Sequence, residues 1–130
     1  MPKNDGPVDR FLAAVEGGEM GACSAFASDM VLDATVPNWR FSVLGQGEVQ
    51  AEFSRWYADA GRFEELSRTP MPGGELVVFT LCWEEDGIPH AVHQAHLLEV
   101  ADGRITKDQA WCGGRWPAGL LAEMAAAGSE

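Results

Sequence analysis

Apolar positions recur along the chain with two different periods, and the change from one to the other divides it. Val8, Phe11, Leu12 and Val15 fall at the three-and-four spacing of a helix face, with Asp9 in the first turn, where negative charge suits the helix dipole. Gly17-Gly18 ends that helix. Met20, Cys23 and Phe26 repeat the spacing and predict a short second helix over 19–27, closed by Ser28-Asp29. Residues 30–36 predict a strand that Pro37 terminates, and 37–47 a loop carrying Trp39 and Phe41. Val49, Phe53, Trp56 and Tyr57 then mark one face of a third helix over 48–60, stopped by Gly61.

Beyond Gly61 the strand period takes over. Strands are predicted over 63–68, 75–84, 90–100 and 104–112. Pro70-Met71-Pro72-Gly73-Gly74, Glu85-Asp86-Gly87 and Ala101-Asp102-Gly103 separate them, the last as a hairpin turn. A final helix is predicted over 117–127 with proline in its first turn. Residues 1–7, with two prolines and a glycine, read as a loosely tied arm, leaving 8–130 as a single domain. Helices collected on one side of an antiparallel sheet define an α+β fold. Such a sheet curves around its helices and leaves a cone-shaped pocket, the usual seat of a small ligand.

Composition narrows the partners. The net charge of −11 repels phosphate backbones and anionic lipid, so neither nucleic acid nor membrane is expected. Cys23, Cys82 and Cys112 are odd in number and widely spaced, which argues against a disulfide framework and a structural zinc site. The first residues lack the apolar core of a signal peptide, and no apolar run approaches the ~20 residues that span a bilayer; the cytoplasm is the expected location.

Four stretches, in order, cover nearly the whole chain and resemble one superfamily: Phe11-Leu-Ala-Ala-Val-Glu-Gly-Gly-Glu19, Phe26-Ala-Ser-Asp-Met-Val-Leu-Asp33, Gly45-Gln-Gly-Glu-Val-Gln-Ala-Glu-Phe53 and His96-Leu-Leu-Glu-Val-Ala-Asp-Gly-Arg-Ile105. The series resembles the SnoaL-like domains of the nuclear transport factor 2-like superfamily, the ketosteroid isomerase-like group with a cystatin-like α+β barrel. The resemblance implies a fold and not an activity, because isomerases, cyclases, epoxide hydrolases, dehydratases and plain binding proteins share it. It also implies a register. Gln94, His96, Leu98 and Val100 would face inward on one strand, and Thr106, Asp108, Ala110 and Cys112 on the next, with Glu99, Lys107 and Trp111 outside. In this superfamily the outer sheet face commonly forms a homodimer, which an exposed Trp111 beside Leu97 would favour.

His96 and Asp108 are the candidate catalytic pair. From adjacent strands their side chains could hydrogen-bond, giving a histidine oriented by a carboxylate for general acid–base work, or a buried polar pair that only satisfies itself. His96 also falls where the resemblance places the oxyanion-stabilising acid of ketosteroid isomerases. The tyrosine of that machinery is replaced by Phe11 and its base by Ala34, with Asp33 next door pointing outward, so steroid isomerisation by that mechanism is rejected. Asp108 matches the late-strand acid of SnoaL-type cyclases, although Trp111-Cys-Gly-Gly-Arg-Trp116 departs from their usual acidic run.

Gln94, Leu98 and Cys112 are candidate ligand contacts, with Trp39 and Tyr57 as aromatic walls and Trp39 in a loop over the mouth. Cys112 as a nucleophile would need a base and positive surroundings, so an inert buried thiol is the simpler reading. His90, His93 and His96 do not form a metal site, because a strand turns His93 away from the other two; no metal and no cofactor is expected. Gly45-Gln-Gly47 and Gly113-Gly-Arg115 lack nucleotide-loop spacing, and Arg115 would meet either an anionic ligand group at the rim or a surface carboxylate. The expected function is therefore the holding of a small, mostly apolar molecule, with isomerase, cyclase or hydrolase chemistry at His96 and Asp108. The alternative is a non-catalytic binding protein or a dimeric interaction domain.

Overall fold

A computed structural model describes residues 6–128. Helix α1 spans Pro7–Gly17, a single 3-10 turn follows at Met20–Ala22, and strands β1 (Phe26–Val36) and β2 (Trp39–Leu44) form a hairpin. Helix α2 spans Gln46–Trp56, and four long strands follow: β3 (Gly61–Met71), β4 (Gly74–Glu85), β5 (Ile88–Ala101) and β6 (Arg104–Pro117). Helix α3 closes the order at Ala118–Ala127. The strands make one open six-stranded sheet in the order β2-β1-β6-β5-β4-β3.

The fold is α+β with a curved sheet, and the sheet is mixed. Every pairing is antiparallel except β1 with β6, which run parallel. The expected all-antiparallel sheet is corrected on this point. Because β1 is inserted beside the last strand, it is an interior strand and not an edge.

Several boundaries move. The second predicted helix shrinks to one turn because Phe26 already pairs with Ile105, whose amide bonds Ala25 O at 2.8 Å. Met20, Cys23 and Phe26 are nevertheless all buried, so their spacing reflected a shared core and not a helix. The loop expected at 37–47 is mostly strand. Pro37-Asn38 makes the tight turn, with Asn38 at φ 64°, and Phe41 and Val43 alternate toward the core. β3 runs through Pro70, which an edge strand tolerates because its missing N–H faces no partner. Of the arm proposed for 1–7, residues 1–5 lie outside the described residues; Gly6 donates its amide to Asp9 Oδ2 at 3.0 Å and Pro7 opens α1.

The core lies between α1, α2 and the concave sheet face. Phe11, Phe26 and Phe53 form a triangle of rings with centroids 5.6–6.0 Å apart, all but excluded from solvent. Such aromatic triads stabilise by area burial and by offset ring geometry. α3 buries none of its residues and lies against β5 and β6.

Candidate functional site

Val92, Gln94, His96 and Leu98 of β5 face the helices, as do Asp108, Ala110 and Cys112 of β6. In the register His96 stands opposite Ala110 and Leu98 opposite Asp108, so His96 and Asp108 are diagonal neighbours across the hairpin. His96 Nδ1 lies 2.6 Å from Asp108 Oδ2, and neither side chain has any exposure. Phe79 stacks on the imidazole at 5.4 Å, and Phe11 meets it edge-on at the same distance. Phe11 and Phe79 thus give the imidazole apolar walls.

Two further groups complete a buried chain. Gln94 Oε1 lies 2.9 Å from His96 Nε2, and Tyr57, the C-cap of α2, donates its hydroxyl to the same oxygen. The Tyr57 oxygen is also 3.3 Å from His96 Nε2. Gln94 Nε2 points the other way, to Cys112 Sγ at 3.3 Å. With the amide so oriented, Gln94 Oε1 accepts from Tyr57, and the imidazole Nε2 must carry a proton to bond it as well. The short contact at Nδ1 then places another proton between His96 and Asp108, on one partner or the other. Asp108 Oδ1 is buried without a hydrogen-bond partner. Burial pushes the Tyr57 hydroxyl well above its usual pKa, with the nearby Asp108 and Cys112 adding to the rise. Tyr57 is therefore a neutral donor.

Gln94 and Cys112 also line a cavity of about 460 Å³, whose walls include Val36, Pro37, Trp56, Trp83 and Val92. Arg55 and Arg115 stand among its lining residues. A smaller hollow of about 230 Å³ adjoins it and shares Arg55, Trp56, Trp83 and Arg115. The cone is thus open at the α2 end and closed by side chains at the His96 end.

A one-residue bulge sets the mouth. Gln94 pairs with Cys112 but Val92 pairs with Arg115, so Gly113 and Gly114 together oppose His93. Gly114 adopts φ 99°, and a Cβ there would come within 3.1 Å of the Pro37 ring. The extra residue inverts the alternation. Arg115 comes to the concave face, with its guanidinium 5.4 Å from the Trp83 ring centre, and Trp116 goes to the convex face, stacked on His93. A second bulge, between Glu99 and Val100, buries Ile105 in place of Thr106, which the simple alternation had pointed inward.

The structure brings together His96, Asp108, Gln94, Tyr57 and Cys112. Leu98 is buried deeper, opposite Asp108, and does not line the cavity. Trp39 opens β2 at 70% exposure and is not on the cavity wall, so the covering role expected of it is corrected. Pro37, two residues earlier, takes that wall position. Asp33 points away from the core and pairs with Arg40 at 2.8 Å, and Ala34 is buried. His90 stacks on Trp83 and His93 meets Thr80 at 2.7 Å. Among the described residues no three histidine, cysteine or acidic side chains converge as metal ligands. The bonding of the Tyr57 hydroxyl is what sequence reasoning missed: Tyr57 was expected as an aromatic wall, and nothing local signalled a partner 37 positions away in Gln94.

No protein-family profile matches this chain, and no curated protein sequence matches it. Solved structures do. An NTF2-like protein of unknown function from Mesorhizobium loti is 20% identical, with 83% of this chain and 88% of that one covered at TM-score 0.64. A protein with a ketosteroid isomerase-like fold from Catenulispora acidiphila, in complex with trimethylamine, is 20% identical, covering 82% and 85% at TM-score 0.62. An LEH-like epoxide hydrolase of M. tuberculosis is 16% identical, covering 82% and 79% at TM-score 0.61.

Proposed function

We propose, for a chain with the nuclear transport factor 2-like fold, that it binds a small, mostly apolar molecule in the open end of its cone. The bound molecule presents one polar atom to Gln94 on the cavity floor. The observation that carries this reading is the position of Gln94: its amide is shared between the apolar cavity and the buried group of Tyr57, His96 and Asp108. A floor held by Tyr57, His96 and Cys112 is pre-organised, so a ligand that bonds it avoids much of the ordering cost of binding. Calorimetry with naphthol tests it. Binding to the native chain and its loss in Gln94→Leu are expected; equal affinity of the two proteins would place the ligand elsewhere.

A second reading makes the same site catalytic. His96 Nδ1 lies 2.6 Å from Asp108 Oδ2, and Asp108 keeps one buried oxygen without a partner. Such a pair can take and return a proton when Gln94 turns aside, as isomerases, cyclases and hydrolases require. Deuterium exchange at the carbon beside the carbonyl of cyclohexanone, followed by NMR, distinguishes the readings. Exchange that depends on His96 supports catalysis, and exchange unchanged in His96→Gln rejects it. We also propose that a second copy covers the outer sheet face around Trp111, which is 40% exposed there. Sedimentation of the native chain against Trp111→Lys reads this directly.

A further inference from the structure

We infer that the ligand of this cavity is an organic anion, a small apolar molecule with one carboxylate or comparable acid group held at the mouth by Arg55 and Arg115. The inference rests on the binding reading above and adds the charge of the ligand to it. The chain carries 20 acidic and 9 basic residues, yet the cavity lining holds two guanidinium groups and no carboxylate. Arg55 and Arg115 are the charged side chains of this lining, and the carboxylates nearest them, Glu52 and Glu85, lie behind them as their ion-pair partners.

The mouth is built in two matching parts. Arg55 bonds Glu52, and Glu52 also accepts the Trp56 indole N–H at 2.9 Å. Arg115 bonds Glu85, and Glu85 also accepts the Trp83 indole N–H at 2.7 Å. Both tryptophans are cavity walls. Each glutamate therefore retains a donor if its arginine turns to a ligand, and no carboxylate is orphaned by the exchange. The arginine side chains are 67% and 61% exposed, which leaves them free to turn. A guanidinium offers a planar fork matched to a carboxylate, and two forks at one opening select against a cation.

The position of Arg115 is itself contrived by the fold. Regular alternation would have put it on the convex face; the Gly113-Gly114 bulge brings it to the cone opposite Val92. The acid group would sit at the mouth, the apolar body along Trp56 and Trp83, and any second polar atom would reach Gln94.

Calorimetric titration of the full chain with phenylacetate, phenylacetamide and phenethylamine tests the charge. The acid is expected to bind roughly tenfold more tightly than the amide, as two charge-assisted contacts imply, and the amine most weakly. In the double variant Arg55→Gln/Arg115→Gln the acid should fall to the level of the amide while the amide is unchanged, and each single variant should give part of the loss. Circular dichroism of each variant confirms the native fold. If acid and amide bind the native chain equally, or the double variant keeps the preference, the anion inference is overturned and the pocket reading stands. If none of the three binds, the pocket reading fails and carries this inference with it.

Discussion

The Tyr57 hydroxyl lies 3.3 Å from His96 Nε2 and shares Gln94 Oε1 with it, although Tyr57 comes from the end of α2 and His96 from the middle of β5. One consequence concerns alkali. The usual tyrosine value is 10.0, and the buried hydroxyl is held well above it. Between those two values the unfolded chain has released the proton and the folded chain has not, so the stability this group confers is intact below pH 10 and is lost as pH rises through the folded value. Tyr57 is the chain's single tyrosine, so its near-ultraviolet tyrosinate signal reports this group alone. That signal should appear together with unfolding, and Tyr57→Phe should remove the alkaline loss attributable to it. Tyrosinate formation in the intact fold near the ordinary value would contradict the burial.

The His96–Asp108 pair predicts a double-mutant cycle. Asp108→Leu alone leaves a buried imidazole without its partner and should cost about 3 kcal/mol in urea denaturation. Adding His96→Leu should recover part of that loss, because two apolar side chains of similar size leave no orphan. A coupling energy below about 0.5 kcal/mol would show that the two side chains act independently.

Gly114 links a backbone angle to the mouth. Gly114→Ala must hold a Cβ at φ 99° and against Pro37, which should cost about 1–3 kcal/mol in stability. Deleting Gly114 should remove the bulge and leave Gly113 alone opposite His93, with Arg115 still facing Val92 and Trp116 still on the convex face. The acid-over-amide preference at the cavity should then persist, as read by the same titrations.

The three cysteines are free and should label in a definite order. Burial raises the Cys23 thiol, and burial with the Glu64 carboxylate raises Cys82. Cys112 lines the cavity. Maleimide followed by peptide mass spectrometry should modify Cys112 first, and a ligand in the cone should slow that step.

The strand period and the hairpin turns made the sheet legible in the sequence, because alternating burial is imposed locally on each strand. His96, Asp108 and Gln94 could be placed on one face for the same reason. The hairpin strand at Trp39 was hidden, since its alternating Phe41 and Val43 are only half-buried beside exposed Trp39 and Leu44. The parallel contact of β1 with β6 joins segments some 75 residues apart, and no local pattern encodes it. The bulges were invisible to strict alternation, which is why Thr106, expected inward, gives way to Ile105. The partnership of Tyr57 with Gln94 depends on how α2 lies across the sheet, a tertiary property that its helical spacing does not contain.

The placement of β1 between β2 and β6 has a consequence for the order in which the molecule can assemble. During synthesis the first hairpin emerges long before the strand that must lie along its inner side, and it can acquire that neighbour only when residues 104–117 have been made. Closing so long a loop is slow compared with forming local turns. Asp108, Cys112 and Arg115 all belong to that last strand, so the cavity floor and mouth come into being in the same event that completes the sheet. A chain interrupted before residue 104 would carry Tyr57, Gln94 and His96 and still have no binding site.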